Sequence, residues 1–187
     1  MRNRSRSAGT LYAVGHSTRS TRELLELLRA HGVEQVVDVR TIPRSRHNPQ
    51  FNGPALARSL RAAGLRYRHL KALGGLRHAR PDSVNLGWRN ASFRGYADYM
   101  QTEEFAAGLA TLEQISRRRP TAIMCAEAVP WRCHRSLIAD ALLARGVVVQ
   151  HIVGRGRTRP HRLTPFARIA GRQVTYPPSD DRGAGGG

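Results

Sequence analysis

The chain has two cysteines, Cys125 and Cys133, and both fall in the segment Cys125-Ala-Glu-Ala-Val-Pro-Trp-Arg-Cys-His-Arg135. A thiol turns nucleophilic where a cation, an imidazole or a helix N-terminus favours its thiolate, and this segment offers all three. Cys125 could carry sulfur as a persulfide that Cys133 resolves. Glu127 could instead act as general base or nucleophile, with His16 or His134 moving the proton and Arg40 and Arg135 anchoring anionic oxygens. Ser17 and Cys133 join those arginines as candidate anion-binding groups. Cysteine phosphatase chemistry fits poorly, because the spacing from Cys125 to Arg132 is one residue too long and Met124 stands where that signature has histidine. Cys125, Cys133, His134 and His16 are types that suit zinc or iron. However, adjacent Cys133 and His134 are not expected to both point inward from a helix start, and there is no Cys-x-x-Cys pair, so no metal site is expected.

Plainer roles compete with each of these. A cysteine at a strand end often serves as a small buried hydrophobe. Asp38 could cap a turn or pair with Arg40. Glu127 follows an apolar strand, where a carboxylate needs Arg40, Arg135, His16 or a ligand beside it. Burial would raise its pKa and a guanidinium would lower it.

These residues need elements to bring them together. Leu11–Gly15 reads as a strand ending in His16-Ser17. Thr18 to Thr21 offer N-caps for a helix with Leu24, Leu25, Leu27 and Leu28 on one face, stopped at Gly32. Gln35–Val39 is a second strand, and Gly53-Pro54 opens a helix through Ala63. Leu65–Leu70 is a half-exposed third strand, and 71–92 a long loop that is either a lid or an edge cover. Phe93–Met100 and Glu103–Arg119 read as helices, the latter capped by Thr102. Thr121–Cys125 is strand four, Cys133–Arg145 a helix, Val147–Ile152 strand five and Gln173–Tyr176 a last short strand. Strand alternating with helix predicts an α/β fold: one compact domain over 9–176 with a mainly parallel sheet flanked by helices. A flexible basic leader (1–8) and a Gly-rich tail (177–187) are expected outside it. In such sheets ligands bind beyond the carboxyl ends of the strands, so the polar groups after strands one, two and four should converge at one edge.

Several spaced motifs in this order carry a resemblance: Val14-Gly15-His16-Ser17, Asp38-Val39-Arg40 with Pro43 and Ser45, Leu73-Gly74-Gly75, Cys125-x-Glu127 through Cys133-His134-Arg135, and His151-Ile152. Over roughly residues 10–176 the chain resembles the domain of unknown function 488 family of bacteria and archaea. The resemblance implies a compact α/β domain and a site at the motif residues, and brings no reaction, cofactor or partner with it.

Composition narrows the partners. The 187 residues carry 31 basic and 13 acidic side chains, a net charge of +18. Residues 9–152 alone keep 21 against 11, so the excess belongs to the folded part as well as to the ends. Polyanion attraction follows physically. Yet Lys71 is the sole lysine, and so lopsided an arginine usage also follows from coding-DNA base composition. A hydrophobic share of 40% excludes a wholly disordered chain, and no apolar run is long enough to span a membrane. The N-terminus has charge without the apolar stretch of a signal peptide, and two cysteines make no disulfide framework; a cytoplasmic, reducing setting is expected.

The reading placed first is an enzyme acting on a nucleic acid or nucleotide. There Arg44, Arg46, His47, Arg155, Arg157 and Arg159 hold phosphates, and Tyr96, Tyr99 or Trp131 stacks on a base. The alternatives are thiol chemistry such as sulfur transfer through Cys125, and a non-catalytic basic nucleic-acid-binding module. The module would leave Cys125 and Glu127 without a purpose, and no helix-turn-helix or zinc-finger pattern accompanies it.

Overall fold

The computed structural model describes residues 10–178; the expected leader, and the tail from 179 on, lie outside the described residues. Eight strands and five helices follow in the order β1 (Thr10–Gly15), α1 (Thr21–Ala30), β2 (Gln35–Asp38), α2 (Gly53–Ala62), β3 (Arg66–His69), α3 (Ala91–Tyr99), α4 (Glu103–Arg118), β4 (Thr121–Cys125), α5 (Arg135–Leu143), β5 (Val148–Gly154), β6 (Arg157–Pro160), β7 (Arg168–Ala170) and β8 (Gln173–Thr175). The main sheet has the order β3-β2-β4-β1-β5-β6. All neighbours in it are parallel except β5 and β6. The fold is α/β, a mainly parallel sheet flanked by helices.

The residues explain the order. Every position of β2 and β4 is buried, as a near-continuous apolar run requires of central strands covered on both faces. β3, with Arg66 and Arg68 exposed, lies at an edge. Side chains alternate between two cores. Val14, Val36, Ala122 and Met124 face Leu24, Leu28, Leu56 and Leu60 of α1 and α2. Leu11, Ala13, Val37 and Ile123 face α3, α4 and α5 on the other side. The first helix starts where the capping residues suggest: Ser20 Oγ accepts from Glu23 N–H at 3.2 Å while the Glu23 carboxylate accepts from Ser20 N–H at 2.6 Å.

This arrangement sets the place of the site. β1 leads into α1 on one face and β4 into α5 on the other, and the two strands are neighbours, so their connections diverge and leave a crevice beyond their carboxyl ends. Gly15 is required there, since a Cβ on it would lie 1.9 Å from the Glu127 carbonyl oxygen.

Two strands are absent from the sequence reading. β6 and β7 escape it because their exposed faces are arginine-rich. The last expected strand is present as β8, paired with β7 in a separate hairpin. The 71–92 segment holds a short 3-10 turn at Lys71–Leu73 and then runs without regular structure to α3, which begins at Ala91 under an Asn90 cap. It is anchored at the buried Asp98, whose carboxylate accepts from Arg80 N–H (2.8 Å), Ser83 Oγ (2.5 Å) and Asn85 Nδ2 (2.8 Å). No helix among the described residues is long and apolar enough to cross a membrane.

Candidate functional site

The crevice holds a cavity of about 540 Å³. The loop after β1 lines it with His16 and Ser17, the end of β4 and the loop after it with Cys125 and Glu127, and the approach to α5 with Cys133 and His134. Six of the eight residues expected at the site therefore share one cavity. Gly75, Leu76 and Asn90 of the long segment, with Phe93 and Tyr96 of α3, form the opposite wall. The two strand-end loops are joined by backbone bonds from His16 N–H to Cys125 O (3.0 Å) and from Ser17 N–H to Ala126 O (2.8 Å). Ser17 adopts a left-handed φ of 50° to make the second, a conformation that non-glycine residues hold only where surroundings impose it.

Cys133 and His134 both point inward, contrary to expectation. The helix starts two residues later than the sequence suggests: Cys133 is extended (φ −136°, ψ 144°) and His134 is the helical cap residue (φ −56°, ψ −13°), so the chain turns between them. His134 Nε2–H donates to the Val39 carbonyl at the end of β2 (2.8 Å). A carbonyl only accepts, so in the neutral ring the lone pair is on Nδ1. That nitrogen lies 3.7 Å from Cys133 Sγ and 4.0 Å from Cys125 Sγ. Gly75 gives the ring its room, since a Cβ there would stand 3.1 Å from Nδ1.

The two sulfurs differ in their surroundings. Arg135 is 1% exposed; its Nε–H donates to Cys133 Sγ at 3.4 Å and an Nη2–H donates to the Glu127 carbonyl. It pairs with no carboxylate among the described residues. A buried guanidinium calls for a negative partner, and the sulfur of Cys133 is placed to be one. The neighbouring Cys125 thiol, with help from His134 and Arg135, holds the Cys133 thiol well below its usual range. Cys133 beside it, together with burial, pushes Cys125 up.

The remaining residues stand apart from this pair. Arg40 does not line the cavity: its guanidinium is spent on the buried Asp38 (2.9 and 2.6 Å) and on the Phe51 carbonyl (2.8 Å). Tyr67 OH also donates to Asp38 (2.9 Å). His16 donates from Nδ1 to Ser17 O (2.8 Å), while its Nε2 faces Arg40 Nη1 at 3.4 Å. Burial, and then Arg40, lower its pKa, so it stays neutral and its basic nitrogen is occupied. Glu127, expected to need a buried partner, is exposed, because the chain leaves the sheet at Cys125; its carboxylate accepts from Val129 N–H at 3.3 Å. Tyr96 and Tyr99 are buried with hydroxyls donating to Leu73 O (2.8 Å) and Ala72 O (2.6 Å), which removes them as stacking platforms, whereas Trp131 is exposed.

A second polar cluster went unread in the sequence. Asp140 of α5 is fully buried and accepts from His161 Nε2–H (2.8 Å), Thr164 Oγ1 (2.7 Å) and Tyr176 OH (2.8 Å). His161 Nδ1 then accepts from His151 Nε2–H at 3.0 Å, leaving His151 Nδ1 buried without a partner among the described residues. The signal available was an acid inside an otherwise apolar helix face, Leu137-Ile138-Ala139-Asp140-Ala141-Leu142.

Fold and cavity together define an α/β protein with two thiols and an imidazole at the crevice of its sheet. Residues 20–142 match the family described as Domain of unknown function DUF488, and the chain belongs to it. The matched stretch runs from the α1 cap through α5 and contains Cys125, Glu127, Cys133, His134 and Arg135. No curated protein and no solved structure matches the chain.

Proposed function

We propose that this protein is a dithiol enzyme that cleaves sulfur–sulfur bonds of small molecules entering the cavity. The observation that carries the reading is the placement of His134 Nδ1, a proton acceptor fixed by the Val39 bond, within 4.0 Å of both thiols. Cys133 is assigned the attack, since Arg135 faces its sulfur. Its proton passes to His134, Cys133 Sγ bonds to one sulfur of R–S–S–R′, and R′–S⁻ leaves with that proton. Cys125 then gives its proton to the same nitrogen and attacks Cys133 Sγ; R–S⁻ departs protonated. The products are R–SH, R′–SH and a Cys125–Cys133 disulfide: the substrate gains two electrons and the two thiols lose them. With R′ as hydrogen, the substrate is a persulfide and one product is hydrogen sulfide. A second thiol compound must reduce the disulfide for turnover.

The reading with Glu127 as base on a phosphate substrate has weaker support. That carboxylate is in water, and Arg40 is engaged inside the protein.

Intact-mass measurement after exposure to glutathione disulfide tests the assignment. The parent chain should lose two hydrogens and release two thiols. Cys125→Ser should stop at the mixed disulfide on Cys133, and Cys133→Ser should form neither product. Hydrogen sulfide release from a persulfide distinguishes that substrate. Adducts on Cys125 in the Cys133→Ser variant would reverse the roles, and cysteines no faster than a free thiol would overturn the reading.

A further inference from the structure

We propose that Cys125, Cys133 and His134 also form a reversible site for a thiophilic divalent cation of the Zn²⁺ type, and that the bound ion switches the dithiol off. The inference shares its residues with the proposed enzyme and rests on that reading for the switch, but not for the binding.

Three donor atoms, Cys125 Sγ, Cys133 Sγ and His134 Nδ1, lie within 4.8 Å of one another. Around a tetrahedral zinc ion with ordinary Zn–S and Zn–N lengths, such donors are about 3.6–3.8 Å apart. The sulfur–nitrogen separations here are 3.7 and 4.0 Å and the two sulfurs lie within 4.8 Å of each other, so side-chain rotations that move the donor ends by about an ångström or less suffice. Two thiolates and an imidazole are soft and borderline donors, which select zinc over magnesium or calcium.

The surroundings match what holds a metal ligand in place. The ring nitrogen facing away from the sulfurs donates to the Val39 carbonyl, a bond that fixes both the tautomer and the plane of a ligating imidazole. Arg135 Nε–H donates to Cys133 Sγ and moderates the charge that two thiolates would bring. All three residues line the cavity, so the fourth position opens to it and is left to water or to a small ligand. Binding displaces the two thiol protons to solvent. The sulfur lone pairs that attack a sulfur–sulfur bond are then in bonds to the ion, and bond cleavage stops.

The test uses the full chain, reduced and freed of metal with a chelator, and Co²⁺ as a spectroscopic probe. One Co²⁺ per chain should bind, with sulfur-to-cobalt charge-transfer absorption that saturates at one equivalent and disappears when Zn²⁺ is added. Cys125→Ser and His134→Ala, each verified as folded by circular dichroism, should lose the saturable band. His78→Ala, an exposed histidine elsewhere, should keep it. Zn²⁺ should also abolish reaction with glutathione disulfide, and chelator should restore it. Absence of the band, or its survival in both site variants, overturns the site; unchanged exchange in the zinc-loaded protein overturns the switch. Cobalt binding by a protein that cleaves no disulfide would sink the dithiol reading and leave the site standing. Disulfide cleavage without metal uptake would do the reverse.

Discussion

Two histidine-containing clusters lie on the α5 side of the sheet, and they differ in what closes them. Around His134 the free ring nitrogen meets two thiols at the wall of a cavity. Around Asp140 every carboxylate oxygen is taken by His161, Thr164 and Tyr176, and the chain of hydrogen bonds ends at His151 Nδ1 inside the protein. Both use helix α5, one at its first turn and one in its middle. On the proposed reading, the cluster that a small molecule can reach is the reactive one, and the one it cannot reach serves stability. A saturated buried network fixes how the C-terminal segment sits on α5, whereas an unsaturated one at a cavity has valence left for a substrate.

The strongest way to break this division is Asp140→Ala. It strands four donors, from His161, the backbone and hydroxyl of Thr164, and Tyr176, and the expected loss is about 3–5 kcal/mol, read as a shifted midpoint in urea unfolding. The fraction still folded should cleave glutathione disulfide at the parental rate. Loss of cleavage in folded protein would show that the two clusters work as one.

Acid should act next on the sealed cluster. Burial, then His161 and Arg135, push His151 down to about 4, while an unfolded chain titrates near 6.5. Below about 6.5 the unfolded state takes a proton that the folded state refuses, so stability is complete above that pH and falls as the pH drops toward 4. The loss is about 3 kcal/mol at the lower limit, and His16, also lowered by burial, adds to it. Melting temperatures over that window should decline in the parent and decline less in His151→Asn. An equal decline would remove His151 as the cause.

A smaller perturbation sharpens the other side. Gly75→Ala puts a methyl 3.1 Å from His134 Nδ1. Its cost in stability should be about 1 kcal/mol, and disulfide cleavage should slow severalfold because the imidazole shifts from the thiols. Unaltered cleavage in this variant would deny Nδ1 its role. The least effect is expected from Glu127→Gln, whose carboxylate is in water: rates should change by less than about twofold, since exposed polar changes matter little. A collapse of activity there would restore Glu127 as the reacting group.

Much of the architecture was legible because it depends on apolar runs. Val36-Val37 and Ala122-Ile123-Met124 can only be buried strands, and the glycines at 32, 64 and 146 stop helices with positive φ. The residues after those strands were legible for the same reason: a parallel sheet sends them to one edge. What the sequence hid was pairing at a distance. The Asp38–Arg40 pair was legible two residues apart, but nothing local to Arg40 tells that the Phe51 carbonyl takes another of its hydrogen bonds, nor that Val39 sets the tautomer of His134, which is 95 positions away. Arg157 and Arg159, offered by the sequence only as phosphate contacts near the end of the chain, lie on the edge strand β6. Their hairpin partner β5 supplies the apolar pattern that they lack.

The strand order has a further consequence, for how the chain assembles. β1 and β2 do not pair with each other; each pairs with β4, which is made more than eighty residues after β2. Until residues 121–125 arrive, the middle of the sheet is missing, and the earlier strands carry open edges that must wait for a distant partner. Such non-local closure is the slow part of folding. Because Cys125 ends that inserted strand and His134 follows it, the step that completes the sheet also assembles the thiol pair. A chain that stalls before β4 therefore presents no half-formed thiol pair.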